Sequence, residues 1–175
     1  MEALERLLST AVRRGLLTGF KVGMDRTTIL VVSHLFYADD ALIFCGAEES
    51  QVGYLRCVLR CFEAVLGLWV NLGKSELIPV GSVPRISMLA AILGCKIVAL
   101  PTTYLGLPLG ASFKAPRVWD GVVDRVQRRL ARWKRQYLSK GGHVILIKSV
   151  LLSIPTYFMS VHVIPVSVAR RLEKL

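Results

Sequence analysis

Val31-Val32-Ser33-His34-Leu35-Phe36-Tyr37-Ala38-Asp39-Asp40-Ala41-Leu42-Ile43-Phe44-Cys45 anchors the organisation of the chain. Two apolar runs rich in β-branched and aromatic residues flank a short acidic break, the pattern of strand, tight turn and strand. It predicts a β-hairpin with carboxylates at its tip. Side chains alternate along a strand, so Asp39 and Asp40 face one way only if the turn twists them together. Two adjacent like charges on apolar strands are costly unless a cation lies beside them, and the natural occupant is a divalent metal ion. Asp is also ordinary turn chemistry, bonding the local backbone, so Tyr37-Ala38-Asp39-Asp40 by itself admits a solvated turn as well as a metal ligand.

Set between its two hydrophobic strands, that tetrapeptide resembles the palm hairpin of reverse transcriptases. The run from His34 to Phe44 is similar to the form found in non-LTR (LINE-type) retroelements, abundant in plant genomes. The resemblance implies that Asp39 binds catalytic Mg2+ and that Asp40 lies close to it as a second carboxylate. It also puts Tyr37 and Ala38 in the vicinity of primer and nucleotide.

With 175 residues the chain is long enough for one domain with a real core, or for two small subdomains. An apolar content of 53% and a mean hydropathy of +0.51 are high for a soluble monomer and imply surface meant to be covered. A net charge of +11 points to a polyanionic partner, nucleic acid before anything else. The charge is unevenly spread. Residues 111–175 hold 13 Lys/Arg against 3 Asp/Glu, net +10, and residues 1–110 hold 10 against 9, net +1. Cys45, Cys57, Cys61 and Cys95 show no C-x-x-C spacing and follow no secretory signal, so a reduced intracellular compartment, nuclear or cytoplasmic, is expected. Cys57 and Cys61, four apart on a predicted helix, read as buried thiols. Ser149 to Ala169 carries no formal charge and is long enough to span a bilayer. Its two prolines, His162 and four serines favour short packed helices instead, so no membrane partner is expected.

From the N-terminus, Leu4, Leu7, Leu8, Ala11 and Val12 mark an amphipathic helix over Met1 to Arg14 that Gly15 can close in a left-handed cap. A connection through Gly19 and Gly23 leads into the hairpin. Glu48, Glu49 and Ser50 then open a second helix along Val52, Leu55, Val58, Leu59, Phe62, Val65 and Leu66, ending at Gly67. It is expected to pack on the hairpin's sheet. Leu68 to Leu77 reads as a short extended segment around a Gly73-Lys74 turn. Gly73-Lys74-Ser75 is not a P-loop, because position 68 is Leu where that motif needs Gly. A lysine there is ordinarily just solvated, but Asn71-x-x-Lys74-Ser75-Glu76 resembles the family's next palm motif. The resemblance gives Lys74 a catalytic place near the incoming triphosphate, where an ammonium neutralises charge on pyrophosphate or donates a proton to it.

Pro84 to Leu93 reads as a short apolar helix with Ser82 as its cap and Gly94 as its stop. Lys96 to Leu100 and Thr103 to Leu109 read as two strands around Pro101. Their regular glycines suggest a hairpin where a backbone or ligand comes close, or a tight structural turn. Leu100 to Gly110 resembles the family segment in the place of the primer grip, which puts Tyr104, Leu105 and Gly106 near the growing 3′ end.

The rest is basic. Val118, Val122, Val126, Leu130 and Trp133 form an apolar stripe, and Arg125, Arg128, Arg129, Arg132, Lys134 and Arg135 cluster on the rest of that helix. Trp133 and Tyr137 interleave with the charge, a pattern suited to binding a phosphate backbone, and Lys140 and Lys148 extend it. Gly141-Gly142 separates it from an apolar helix, His143 to Ile154. Pro155 and Pro165 open later turns, and Val166 to Leu175 begins another basic helix. Leu138 to Ser160 resembles the family's thumb and post-thumb region, with His143 where the family has Arg, which makes any phosphate contact there pH-dependent.

Two-metal phosphoryl transfer needs carboxylates from two strands to hold ions about 4 Å apart. The family's other essential Asp comes from an earlier palm strand that these 175 residues do not contain, and Asp25, beside Arg26, is a poor substitute. The expected fold is therefore α+β: partial palm (1–80), a helix with primer-grip-like strands (81–110), and a basic helical thumb and post-thumb region (111–175). The expected function is that of a portion of an RNA-directed DNA polymerase, inactive alone. Its partners would be RNA template, DNA primer or RNA–DNA hybrid, together with a fingers and palm half. The alternative is a non-catalytic, sequence-independent RNA- or DNA-binding remnant.

Overall fold

The computed structural model describes residues 1–22, 30–112, 115–133 and 139–175. It combines helices with small two-stranded sheets, an α+β arrangement, and the chain divides into two compact units, Met1–Ala99 and Leu100–Leu175.

In the first unit, α1 (Glu2–Arg13) buries Leu4, Leu8 and Ala11, and Gly15 adopts φ +69° just beyond it, as its sequence predicts. β1 (Phe20–Val22) pairs antiparallel with β2 (Leu30–Val32), and β3 (His34–Tyr37) pairs with β4 (Asp40–Ile43). The first apolar run is thus not one strand. It divides at Ser33, and Val31 and Val32 face Lys21 and Phe20 rather than the acidic hairpin.

α2 (Glu49–Leu66) ends as expected at Gly67, whose φ of 65° lets its N–H reach the Glu63 carbonyl. Its buried Val52, Leu55 and Phe62 join Leu4 and Leu8 of α1 and Leu89 and Leu93 of α3 (Ile86–Leu93) in one core. The hairpin only borders that core through Phe36 and Ile43, so the helix packs chiefly on helices and not on the sheet. The Arg56 guanidinium also donates to the Ile92 carbonyl, tying α2 to α3. Two further expectations fail here. Ser82 does not cap α3, which starts at Ile86 after Arg85 in a left-handed conformation. Cys57 and Cys61 are exposed, because they lie on the side of α2 opposite its buried residues.

Polar organisation in this unit comes from Gln51, only 9% exposed. Its Oε1 accepts from the Thr18 N–H (2.9 Å), the Thr18 hydroxyl (2.8 Å) and the Gly46 N–H (2.9 Å), fastening the chain on either side of the sheets to α2. A Cβ on Gly46 would fall 2.5 Å from Gln51 Nε2, so a larger residue there would displace the Gln51 amide. β5 (Glu76–Leu77) and β6 (Lys96–Ile97) close the unit as a short parallel pair.

In the second unit β7 (Thr102–Tyr104) and β8 (Leu107–Leu109) pair antiparallel. The segments 96–100 and 103–109 therefore do not pair with one another: the latter folds back on itself at Leu105 (φ 53°) and Gly106 (φ 75°), the paired positive angles of a two-residue hairpin loop. A 3-10 turn (Pro116–Trp119) leads into α4 (Asp120–Trp133), and Trp119, Val122, Val123, Phe158 and Val168 form the core.

Gly141 and Gly142 do not break the chain. They sit in the first turn of α5 (Lys140–Leu146), where the Ser139 hydroxyl accepts from the Gly142 N–H (3.1 Å) and supplies the cap. A π-helical turn (Ile147–Leu151) joins it to α6 (Ser153–Met159), and Pro155 lies inside this helical run rather than starting a new turn. Pro165 precedes α7 (Val166–Glu173), as expected. Among the described residues, Gly141–Met159 is one helical run long and apolar enough, by length and composition, to cross a membrane, and 6% of it is buried.

Candidate functional site

The β3–β4 register sets the acidic tip. Tyr37 faces Asp40 and Phe36 faces Ala41, so the loop is only Ala38-Asp39, with Ala38 at φ 53°. Alternation then sorts the side chains. His34, Phe36, Ala41 and Ile43 share one face, and Phe36 and Ile43 meet the helical core from it. Leu35, Tyr37, Asp40 and Leu42 share the other, on which Leu35 and Tyr37 are exposed. Asp40 therefore belongs to the open face and Asp39 to the turn itself, and both are exposed.

Lys74 is presented by a tight turn in which the Asn71 side chain accepts the Lys74 N–H (3.2 Å) and the Asn71 carbonyl accepts from the Ser75 N–H (3.0 Å) and hydroxyl (2.9 Å). Its ammonium is exposed. The ion pairs among the described residues are Arg6–Glu2, Arg85–Glu49 and Arg171–Asp120, none of which takes up Asp39, Asp40 or Lys74.

The carboxylates are hard oxygen donors of the kind Mg2+ takes. A two-ion centre needs more of them, and among the described residues no group of three or more His, Cys, Asp or Glu side chains is placed to hold a metal. The residues present thus suit Mg2+ in kind and fall short of a two-ion centre in number.

In the second unit the structure does bring expected residues together. A cleft of about 220 Å³ is bounded by Gly106 and Pro108 of the β7–β8 hairpin, Val122 and Arg125 of α4 and Phe158 of α6. The Tyr157 hydroxyl donates to the Leu105 carbonyl (2.6 Å), fixing the hairpin turn against α6. Arg125, Arg128, Arg129 and Arg132 recur at i, i+3, i+4 and i+7, all exposed, while Val122, Val123 and Val126 are buried on the other side of α4. Lys148 is exposed on the π-helical turn and Lys140 is the first residue of α5. Lys134, Arg135, Tyr137, Gly23, Asp25 and Arg26 lie outside the described residues.

The cleft residue that sequence reasoning missed is Phe158, with Tyr157 behind it as an anchor. Nothing in the sequence distinguishes Phe158 from the other apolar residues of that segment.

No family model matches the chain. A stretch of 54 residues is 37% identical to a protein of Arabidopsis thaliana provisionally named a ribonuclease H protein, and covers 31% of this chain. The chain matches only 9% of the length of that relative.

Proposed function

We propose that the chain is the C-terminal palm, connection and thumb portion of a non-LTR reverse transcriptase, and that its own activity is to hold nucleic acid by the backbone. The observation that carries the binding is the arginine face of α4. Four exposed guanidinium groups along two helical turns match a row of phosphates, and none is taken up by an ion pair among the described residues. The resemblance of the hairpin supports the polymerase parentage, and a relative named for a ribonuclease is in keeping with an RNA-containing ligand. In the intact parent, Asp39 and Asp40 would contribute ligands for Mg2+ from the hairpin tip, with Lys74 serving the nucleotide and Tyr104, Leu105 and Gly106 the primer end. An RNA template, a DNA primer or their hybrid is the partner, in a reducing intracellular compartment.

A second reading, a non-catalytic and sequence-independent binding remnant, is favoured by a donor set that, among the described residues, stops at two carboxylates. Under both readings the purified chain does not extend a primer on an RNA template with Mg2+, with or without Asp39→Ala, yet binds an RNA–DNA hybrid in a salt-sensitive manner. Templated extension lost on Asp39→Ala would show a working metal centre and overturn the predicted inactivity. Binding indifferent to salt would overturn the backbone reading.

A further inference from the structure

We propose that Cys57 and Cys61 form a chelating dithiol on the outer face of α2, a site for a thiophilic centre that two sulfur ligands satisfy, such as a trivalent arsenical. Both thiols are free and exposed. They stand four residues apart on an 18-residue helix whose opposite side is held by Val52, Leu55 and Phe62 in the core, so their backbone positions are fixed.

At that spacing two helical residues lie on one face with Cβ atoms about 5–6 Å apart. A disulfide requires about 3.5–4.5 Å between Cβ atoms, so a regular helix keeps the pair as two thiols. An atom bridging both sulfurs spans the longer gap without distorting the backbone. Access is open: a Cβ on Gly53, one turn before Cys57 on the same face, would meet nothing within 4 Å, and Ala64, one turn beyond Cys61, is small and exposed.

Ligand number sets the class. Zinc prefers four ligands, and among the described residues no third Cys, His, Asp or Glu joins this pair. Cys45 and Cys95 are half-buried against the core of the unit and stand apart from it. Soft centres that accept two sulfurs remain. With an aryl arsenoxide two As–S bonds form, the As–O double bond breaks, and the oxygen leaves as water with the two thiol protons, without any change of oxidation state.

Titration of the full chain with phenylarsine oxide tests the site. One equivalent is expected to remove two of the four thiols from reaction with a disulfide reagent, reversibly by a dithiol but not by a monothiol. Cys57→Ser and Cys61→Ser should each weaken binding at least about 100-fold, because the second attachment is intramolecular. Cys95→Ser should leave it unchanged, and circular dichroism should show the same helicity in all variants. Wild-type affinity in either Cys57→Ser or Cys61→Ser, or the loss of a single thiol only, would overturn the proposal.

Discussion

Gln51 shows how much one polar side chain can organise. Its carbonyl oxygen answers three donors from two loops. Gln51→Ala would leave the Thr18 and Gly46 N–H groups without their acceptor and is expected to cost about 3 kcal/mol, read from urea unfolding of the full chain. Trp119 is fully buried beside Phe158, with ring centroids 5.2 Å apart, and Trp119→Ala should cost about 3–5 kcal/mol. Neither residue is conspicuous in the sequence. Gln51 lies in a helix where glutamine is usually solvated, and Trp119, which continues the face of Val122, Val123 and Val126 at regular helical spacing, is passed over because the stripe is read as starting at Val118. Burial pushes the thiols of Cys45 and Cys95 up. The unfolded chain therefore releases these protons at lower pH than the folded chain does, so the stability they contribute is complete below the usual thiol range and falls as pH rises through about 8.5. Thermal melts from pH 7 to 10 should show this decline, and Cys45→Val should flatten it.

At the level of elements, the amphipathic helices were the legible part. Leucine spacing in α1, the Gly67 cap of α2 and the valine stripe of α4 each follow from contacts a few residues apart. The acidic hairpin was legible too, because its turn is local. Pairing was not. β5 pairs with β6 across the intervening α3, and two- or three-residue strands, β1 and β2 included, have too few side chains to display an alternation. The helical run through Pro155 was hidden for another reason: a π-helical turn and a capped Gly-Gly start permit residues that ordinarily end a helix. The arginine face of α4 carries the functional claim at this scale. Replacing one of Arg125, Arg128, Arg129 or Arg132 by Ala should lower the slope of log affinity against log salt by about 1 and weaken all sequences alike. Fluorescence anisotropy with two unrelated hybrid sequences checks both statements.

For the whole molecule, apolar composition and structure agree that much surface is left uncovered. Val144, Ile145, Ile147, Leu152 and Met159 are all exposed along the run from α5 to α6, and Val65, Leu68 and Trp69 are exposed at the end of α2. Such patches bind hydrophobic dyes and promote association, so the isolated chain should enhance ANS fluorescence well above a compact protein of equal mass. The candidate site is divided in the same way. Its basic part was legible in charge counts and is displayed along α4, whereas the acidic tip offers two carboxylates with no third partner among the described residues. Backbone binding without synthesis is the central claim, and the most direct measurement is the affinity of the full chain for an RNA–DNA hybrid between 50 and 200 mM salt, beside a variant with all four α4 arginines replaced by Ala. A steep loss of affinity with salt in the wild type, and a slope shallower by about 4 in the variant, is the predicted result. An unchanged slope in a variant of normal helicity would contradict the account.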